Sequence, residues 1–170
     1  MLLKTTAILI IGLFLASCDR SEEQQAFREG QTTDYYVSRI VDGDTLVADS
    51  NGIEERIRLC GIDAPEDDQP LADEATALLR ELLQDEFVLL VPVERDRYDR
   101  IVAEVFLLGE PERFAQEELL IAGLAWIYPQ YIDGCPNAEP MQRAEAIARE
   151  RQVGVWAEPA SVPPWEWRQN

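Results

Sequence analysis

Histidine is absent from all 170 residues. That excludes a histidine-ligated metal, a histidine general base and a Ser-His-Asp triad. Any chemistry must therefore come from carboxylates, arginines, tyrosines or a cysteine. Lysine is almost absent as well. Lys4 is the single example, so every other basic side chain is an arginine. A basic balance is missing too: 15 basic residues face 33 acidic ones, for a net charge of -18. The apolar run Ala7 to Leu15 is too short to cross a bilayer as a stable helix. What is present, 46% hydrophobic and 28% charged residues, describes a globular chain and not a disordered one. The length allows one domain with a sizeable core and is too short for two.

At the N-terminus, Lys4 precedes the apolar run, which ends in Leu15-Ala16-Ser17-Cys18. A charged start, an apolar centre and small residues at the end have the form of an export signal. The final four residues resemble the lipobox of bacterial lipoproteins. That resemblance implies removal of residues 1–17, acylation of Cys18 and anchoring to a membrane of the bacterial cell envelope. Two or more acyl chains give stable anchoring where one is marginal. Asp19 resembles an inner-membrane retention signal of enteric bacteria. The competing readings are an ordinary signal peptide with an incidental cysteine, or a buried N-terminal helix. Residues 18–33, polar and rich in Glu and Gln, read as a flexible tether. The domain is expected over residues 34–170.

Within it, Tyr35 to Val41 is β-rich and ends at the turn signal Asp42-Gly43. Thr45 to Ala48 pairs with it in prospect. Asn51-Gly52 is a strong hairpin turn leading to the alternating segment Glu54 to Leu59. Apolar residues fall at helical spacing over Ala72 to Leu83. Phe87 to Val93 and Ile101 to Leu108 return to strand character. Phe114 to Ile121 and Met141 to Arg151 read as helices, the second capped near Gly154. The pattern predicts an α+β fold: a small five-stranded Greek-key barrel of the OB type with about three helices.

Three clusters carry possible chemistry: Asp42-Gly43-Asp44-Thr45, then Arg58 to Glu66, then Asp96-Arg97-Tyr98-Asp99-Arg100. Each alone reads as a turn, a solvated strand or a charged loop. In this order and spacing they resemble the staphylococcal nuclease (thermonuclease) family. The similarity continues through Gly123-Leu124-Ala125-Trp126, Ala144-Glu145-Ala146 and Gly154-Val155-Trp156, and so covers Val37 to Glu158. The closing Pro164-Trp165-Glu166-Trp167-Arg168 also resembles the tail of bacterial relatives.

The resemblance implies a Ca2+-dependent nuclease acting on single-stranded or unwound DNA and RNA. It would break the bond to the 5′ oxygen and leave 3′-phosphate ends. Asp44 and Asp63 would ligate the cation, with the backbone carbonyl of Ala64 completing the set. Hard oxygen donors of this kind suit Ca2+. Glu66 matches the glutamate that positions or deprotonates water. Arg58 and Arg100 match the arginines that grip the phosphate, a task suited to a permanently charged, forked guanidinium. Arg97 and Tyr98 would contact substrate. A base would stack on either Tyr128 or Tyr131. The domain is expected to be monomeric.

Two departures from the family stand out. Ala64 replaces a threonine, which matters little where only the carbonyl binds. Asp99 replaces a glycine, placing a carboxylate beside Arg100 and tolerating positive φ better than most residues would. Local arginines (Arg56, Arg58, Arg95, Arg97 and Arg100) offset the acidic bulk. Export would place Cys60 and Cys135 in an oxidising compartment. A bridge between them would brace the strand leading to Asp63; the alternative is two buried thiols. Rival functions are a catalytically silent OB-type module that binds nucleic acid or protein, and a structural lipoprotein stabilised by Ca2+.

Overall fold

The computed structural model describes residues 34–158 and 160–169. The lipobox, Cys18 and the tether lie outside the described residues.

Strands β1 (Asp34–Ile40), β2 (Thr45–Ser50) and β3 (Ile53–Leu59) form an antiparallel meander. Its tight turn is Asn51-Gly52, both at positive φ, as a two-residue hairpin of this type requires. β4 (Ile62–Asp63) follows, then helix α1 (Ala72–Leu83). β5 (Phe87–Arg95) pairs antiparallel with both β1 and β6 (Ile101–Leu107). A parallel pairing of β3 with β6 closes the five long strands into a barrel. The expected α+β barrel is the observed architecture.

Short elements complete the chain. β7 (Arg113–Phe114) lies on β6, and β8 (Trp126–Ile127) pairs with β4. Helices α2 (Ala115–Ile121), α3 (Ala138–Arg151) and α4 (Pro164–Trp167) pack outside the barrel, with 3-10 turns at 132–134 and 154–156. Among the described residues no helix is long and apolar enough to cross a membrane.

The alternation in β3 sends Ile57 and Leu59 inward, beside Leu46, Leu90 and Val105. Helix α1 buries Ala75, Leu79, Leu82 and Leu83, an i, i+4, i+7, i+8 stripe that lies against β1 and α2. Burying a Leu side chain of this kind contributes about 1.5–3 kcal/mol.

Two boundaries differ from the sequence reading. Helix α3 starts at Ala138, ahead of Met141, because Pro140 falls in the first turn, where a backbone N–H has no helical partner to lose. The helix ends at Arg151, and Gln152 after it takes the left-handed conformation expected two residues later. Gly154 instead opens the 3-10 turn at φ +58, and a Cβ there would lie 2.0 Å from the Gly123 carbonyl oxygen. That contact, with the Val155 N–H bonded to the same carbonyl at 2.8 Å, joins the end of α2 to the segment after α3.

Candidate active site

The turn Asp42-Gly43 hands the chain to β2, with Asp44 immediately before that strand. Asp42 Oδ1 accepts the Asp44 N–H at 3.0 Å, which fixes the turn. Gly43 is required by crowding: a Cβ would lie 2.7 Å from that of Ala64 and 2.8 Å from that of Ala75. Asp44 is buried, and its Oδ2 accepts the Ala64 N–H at 2.8 Å. On the neighbouring strand, Arg58 sits opposite Thr45.

Arg58 joins the two acids. Its NH1 lies 2.9 Å from Asp44 Oδ2 and its NH2 2.8 Å from Asp63 Oδ1. Asp63 is 1% exposed and is held by β4, whose partner is Trp126 in β8. β8 is itself pinned by Glu145, which accepts the Ile127 N–H at 2.9 Å. A disulfide joins Cys60 to Cys135 with Cα atoms 6.1 Å apart, directly before this strand.

Burial pushes the carboxyls of Asp44 and Asp63 above the usual carboxylate range. The Arg58 guanidinium opposes this at both, and Arg168 opposes it at Asp63. Asp42 is also raised, by burial and by the nearby Asp44 charge. Burial thus disfavours the charge of both acids, and the arginine partners offset that cost in part.

Glu66 lies at the rim, on the loop after β4. Gln69 holds that loop: its Oε1 accepts the Glu66 N–H at 3.0 Å, and its Nε2 donates to the Val162 carbonyl at 2.5 Å. Arg168, from the far end of the chain, reaches both acids. Its NH2 lies 2.7 Å from Asp63 Oδ2, and its NH1 makes a close ion pair with Glu66 Oε1. Burial lowers the pKa of Arg168, but its hydrogen bonds to Asp63 and Glu66 outweigh it and raise the net value. A cleft of about 390 Å³ separates this tail from the loop, lined by Glu66, Asp68, Val162, Trp167 and Arg168.

Arg100 is not in contact with these carboxylates. It precedes β6, which runs parallel to β3 with Arg58 opposite Val102. Arg100 therefore stands one two-residue step, roughly 7 Å along the strands, from the level of Arg58. Its partner is Asp96, at 2.7 Å. Burial raises the Asp96 carboxyl, but the N–H groups of Arg100 and Tyr98 and the Arg100 guanidinium outweigh it, leaving the net value low. Arg97 and Arg100 lie over the exposed Tyr98 ring at 4.7 and 5.4 Å from its centroid. Asp99 has φ 61, the positive value that a glycine adopts freely. Its carboxylate turns to Arg95, at 3.4 Å, leaving the expected neighbour Arg100 to Asp96.

Both candidate stacking tyrosines lie beside β8. Tyr128 N–H donates to the Gly61 carbonyl at 2.9 Å, so this ring rides on the strand that carries Asp63. Tyr131 meets it edge-on at 4.7 Å, and Trp165 stacks on it at 5.1 Å with planes 14° apart.

Residues 56–158 match the family model described as staphylococcal nuclease homologue. The chain belongs to the staphylococcal nuclease family. It is thereby a member of a family of nucleases, and several of its relatives carry such names. It is 34% identical over 134 residues to a protein named "Uncharacterized endonuclease" from Escherichia coli, covering 78% of this chain and 82% of that one. It is 33% identical over 138 residues to "Micrococcal nuclease" of Shigella flexneri, covering 78% of each. With "Staphylococcal-like nuclease CAN1" of Arabidopsis thaliana it shares 36% over 115 residues, 68% of this chain and 33% of that protein.

The sequence reading did not include Arg168, Trp165 or Gln69 in the site. The motif Pro164 to Arg168 was visible, yet nothing local shows that Arg168 folds back across 105 residues onto Asp63.

Proposed function

We propose that this chain is a Ca2+-dependent phosphodiesterase that cleaves single-stranded or unwound DNA and RNA at the 5′-oxygen side, leaving 3′-phosphate ends. The observation that carries the reading is the convergence of buried Asp44 and Asp63 on Arg58, with Glu66 at the rim, in a chain of a nuclease family.

The donor set suits a hard divalent cation. Two buried carboxylates whose burial disfavours their charge, together with the Ala64 carbonyl, offer oxygen ligands only. Asp44, Asp63 and Ala64 would hold Ca2+, which would supply Lewis-acid stabilisation of phosphoryl charge.

The remaining work falls to the chain itself. Glu66, solvent-accessible at the cleft, takes a proton from water as the water oxygen bonds to phosphorus and the bond to the 5′ oxygen breaks. The departing oxygen gains a proton from solvent. Arg58 and Arg100 face the developing charge with preset N–H donors, which need little reorganisation as charge accumulates. Arg97 and Tyr98, at an exposed turn, guide the adjoining backbone. The exposed Tyr131 offers ring surface to a base, and Tyr128 would do so once Trp165 moves off it; stacking of this kind contributes about 1–3 kcal/mol per base. The acidic bulk weakens the counterion-release attraction that long duplexes rely on, and so favours short or single strands.

The anchor belongs to the same proposal: an exported lipoprotein held through Cys18 at the bacterial envelope, with its nuclease domain acting as a monomer. The test uses the full-length protein in detergent, following cleavage of single-stranded DNA with Ca2+ or with chelator. Glu66→Gln should lower the rate about a hundredfold or more, in line with the loss of a general base. A folded, Ca2+-binding protein that cleaves nothing would identify a binding module instead.

A further inference from the structure

The carboxylate pair that would receive the cation already has an occupant. Asp63 Oδ1 faces Arg58 NH2 at 2.8 Å, and Asp63 Oδ2 faces Arg168 NH2 at 2.7 Å. Arg168 NH1 approaches Asp63 Oδ1 as well, at 3.4 Å, while pairing with Glu66. Both Asp63 oxygens are therefore covered by guanidinium, and Asp63 has 2% of its side chain exposed. A second cation cannot ligate Asp63 until Arg168 withdraws.

The segment bearing Arg168 is built against the site at several points. Pro164 is buried, Trp165 stacks on Tyr128, and Trp167 Nε1 donates to Asp68 Oδ1 at 2.9 Å. Val162 accepts from Gln69, the residue that also holds the Glu66 loop. Yet Arg168 keeps 41% of its side chain exposed. Its guanidinium can therefore withdraw into solvent, whereas the buried Asp63 cannot.

We propose that Arg168 is the internal competitor of the divalent cation for Asp63, and that the C-terminal segment 162–169 thereby sets the cation concentration at which the site loads. This rests on the cation-dependent reading given above. When the cation binds, Arg168 leaves Asp63 and the segment loosens from the Glu66 loop. The Tyr128 ring beneath Trp165 becomes open to a base in the same event, which couples loading of the site to substrate access.

The test is Ca2+ binding by full-length protein in detergent, measured by calorimetry and by tryptophan fluorescence after chelator treatment. Wild type is compared with Arg168→Gln and with a truncation lacking residues 168–170, which keeps Trp165 and Trp167. Both variants should bind Ca2+ about tenfold more tightly, equivalent to about 1.4 kcal/mol. In wild type the tryptophan signal should follow the calcium isotherm, and in the truncation its amplitude should fall. Equal or weaker binding by both variants overturns the competition and leaves the nuclease reading intact. Absence of Ca2+ binding in all three proteins overturns the cation-dependent reading along with it.

Discussion

Reducing the Cys60–Cys135 bridge, or replacing both residues with alanine, opens a loop closed across 75 residues of sequence. Loop-closure entropy for that length comes to about 4.5 kcal/mol at 25 °C. Small domains hold only about 5–15 kcal/mol in total, so a third or more of the stability is at stake. For roughly 140 folded residues, the corresponding fall in Tm is about 15 °C. Both sulfurs are buried, so the alanine variant adds a small packing loss to the entropic one. The assay is urea denaturation followed by tryptophan fluorescence, run on oxidised wild type, wild type with reductant, and the double variant. Reduction should shift the midpoint strongly and the double variant should match it or exceed it. The local effect is separable from the global one. Gly61 sits against the bridge, where a Cβ would lie 2.7 Å from Cys135 Sγ, and two residues later comes Asp63. Cleavage should thus weaken in the reduced protein even at temperatures where it stays folded. A cost below about 1 kcal/mol would refute the reasoning, because the unfolded chain would then gain little freedom from opening the loop.

Two further substitutions probe the frame and the arginine turn. Gly154→Ala places a Cβ 2.0 Å from the Gly123 carbonyl oxygen at a positive φ, so it should cost about 3 kcal/mol or more; a thermal melt within two degrees of wild type would contradict this. Asp96→Asn keeps one oxygen for the Tyr98 and Arg100 N–H groups but removes the charge and the oxygen that accepts from the Arg100 guanidinium, costing about 2 kcal/mol near neutral pH. Because the folded-state pKa of Asp96 is depressed, its contribution is present above the ordinary carboxylate value of about 4 and is lost as pH falls through the depressed one. The stability curves of variant and wild type should therefore converge on acidification, and curves that stay parallel from pH 7 to pH 3 would exclude the role given to Asp96.

Much of this architecture is legible in the chain because local signals agree with tertiary demand. Ala75, Leu79, Leu82 and Leu83 repeat at helical spacing, and they are the residues α1 buries. Asn51-Gly52 asks for a left-handed turn and makes one. Asp44, Arg58 and Asp63 meet because the β2–β3 pairing and the short β4 strand converge at one end of the barrel. Other features have no local signal. Leu71 adopts φ 72 ahead of α1, which no propensity would assign to a leucine. Asp99 turns to Arg95 because the tight turn after Asp96 aims its side chain back along β5. Arg168 reaches Asp63 only through the docking of two tryptophans far away in sequence.

Barrel closure also bears on how these molecules behave when concentrated. An open sheet exposes unpaired backbone groups along its margins and invites pairing with another chain. Here β6 is shared, joining β3 through Ile101 to Ala103 and β7 through Phe106 and Leu107. The stretch of β3 left over, Ile53 to Arg56, carries Glu54, Glu55 and Arg56, and charges on a free margin repel a matching strand. Barrel closure and that charged margin together leave little apolar strand edge on which another chain could pair.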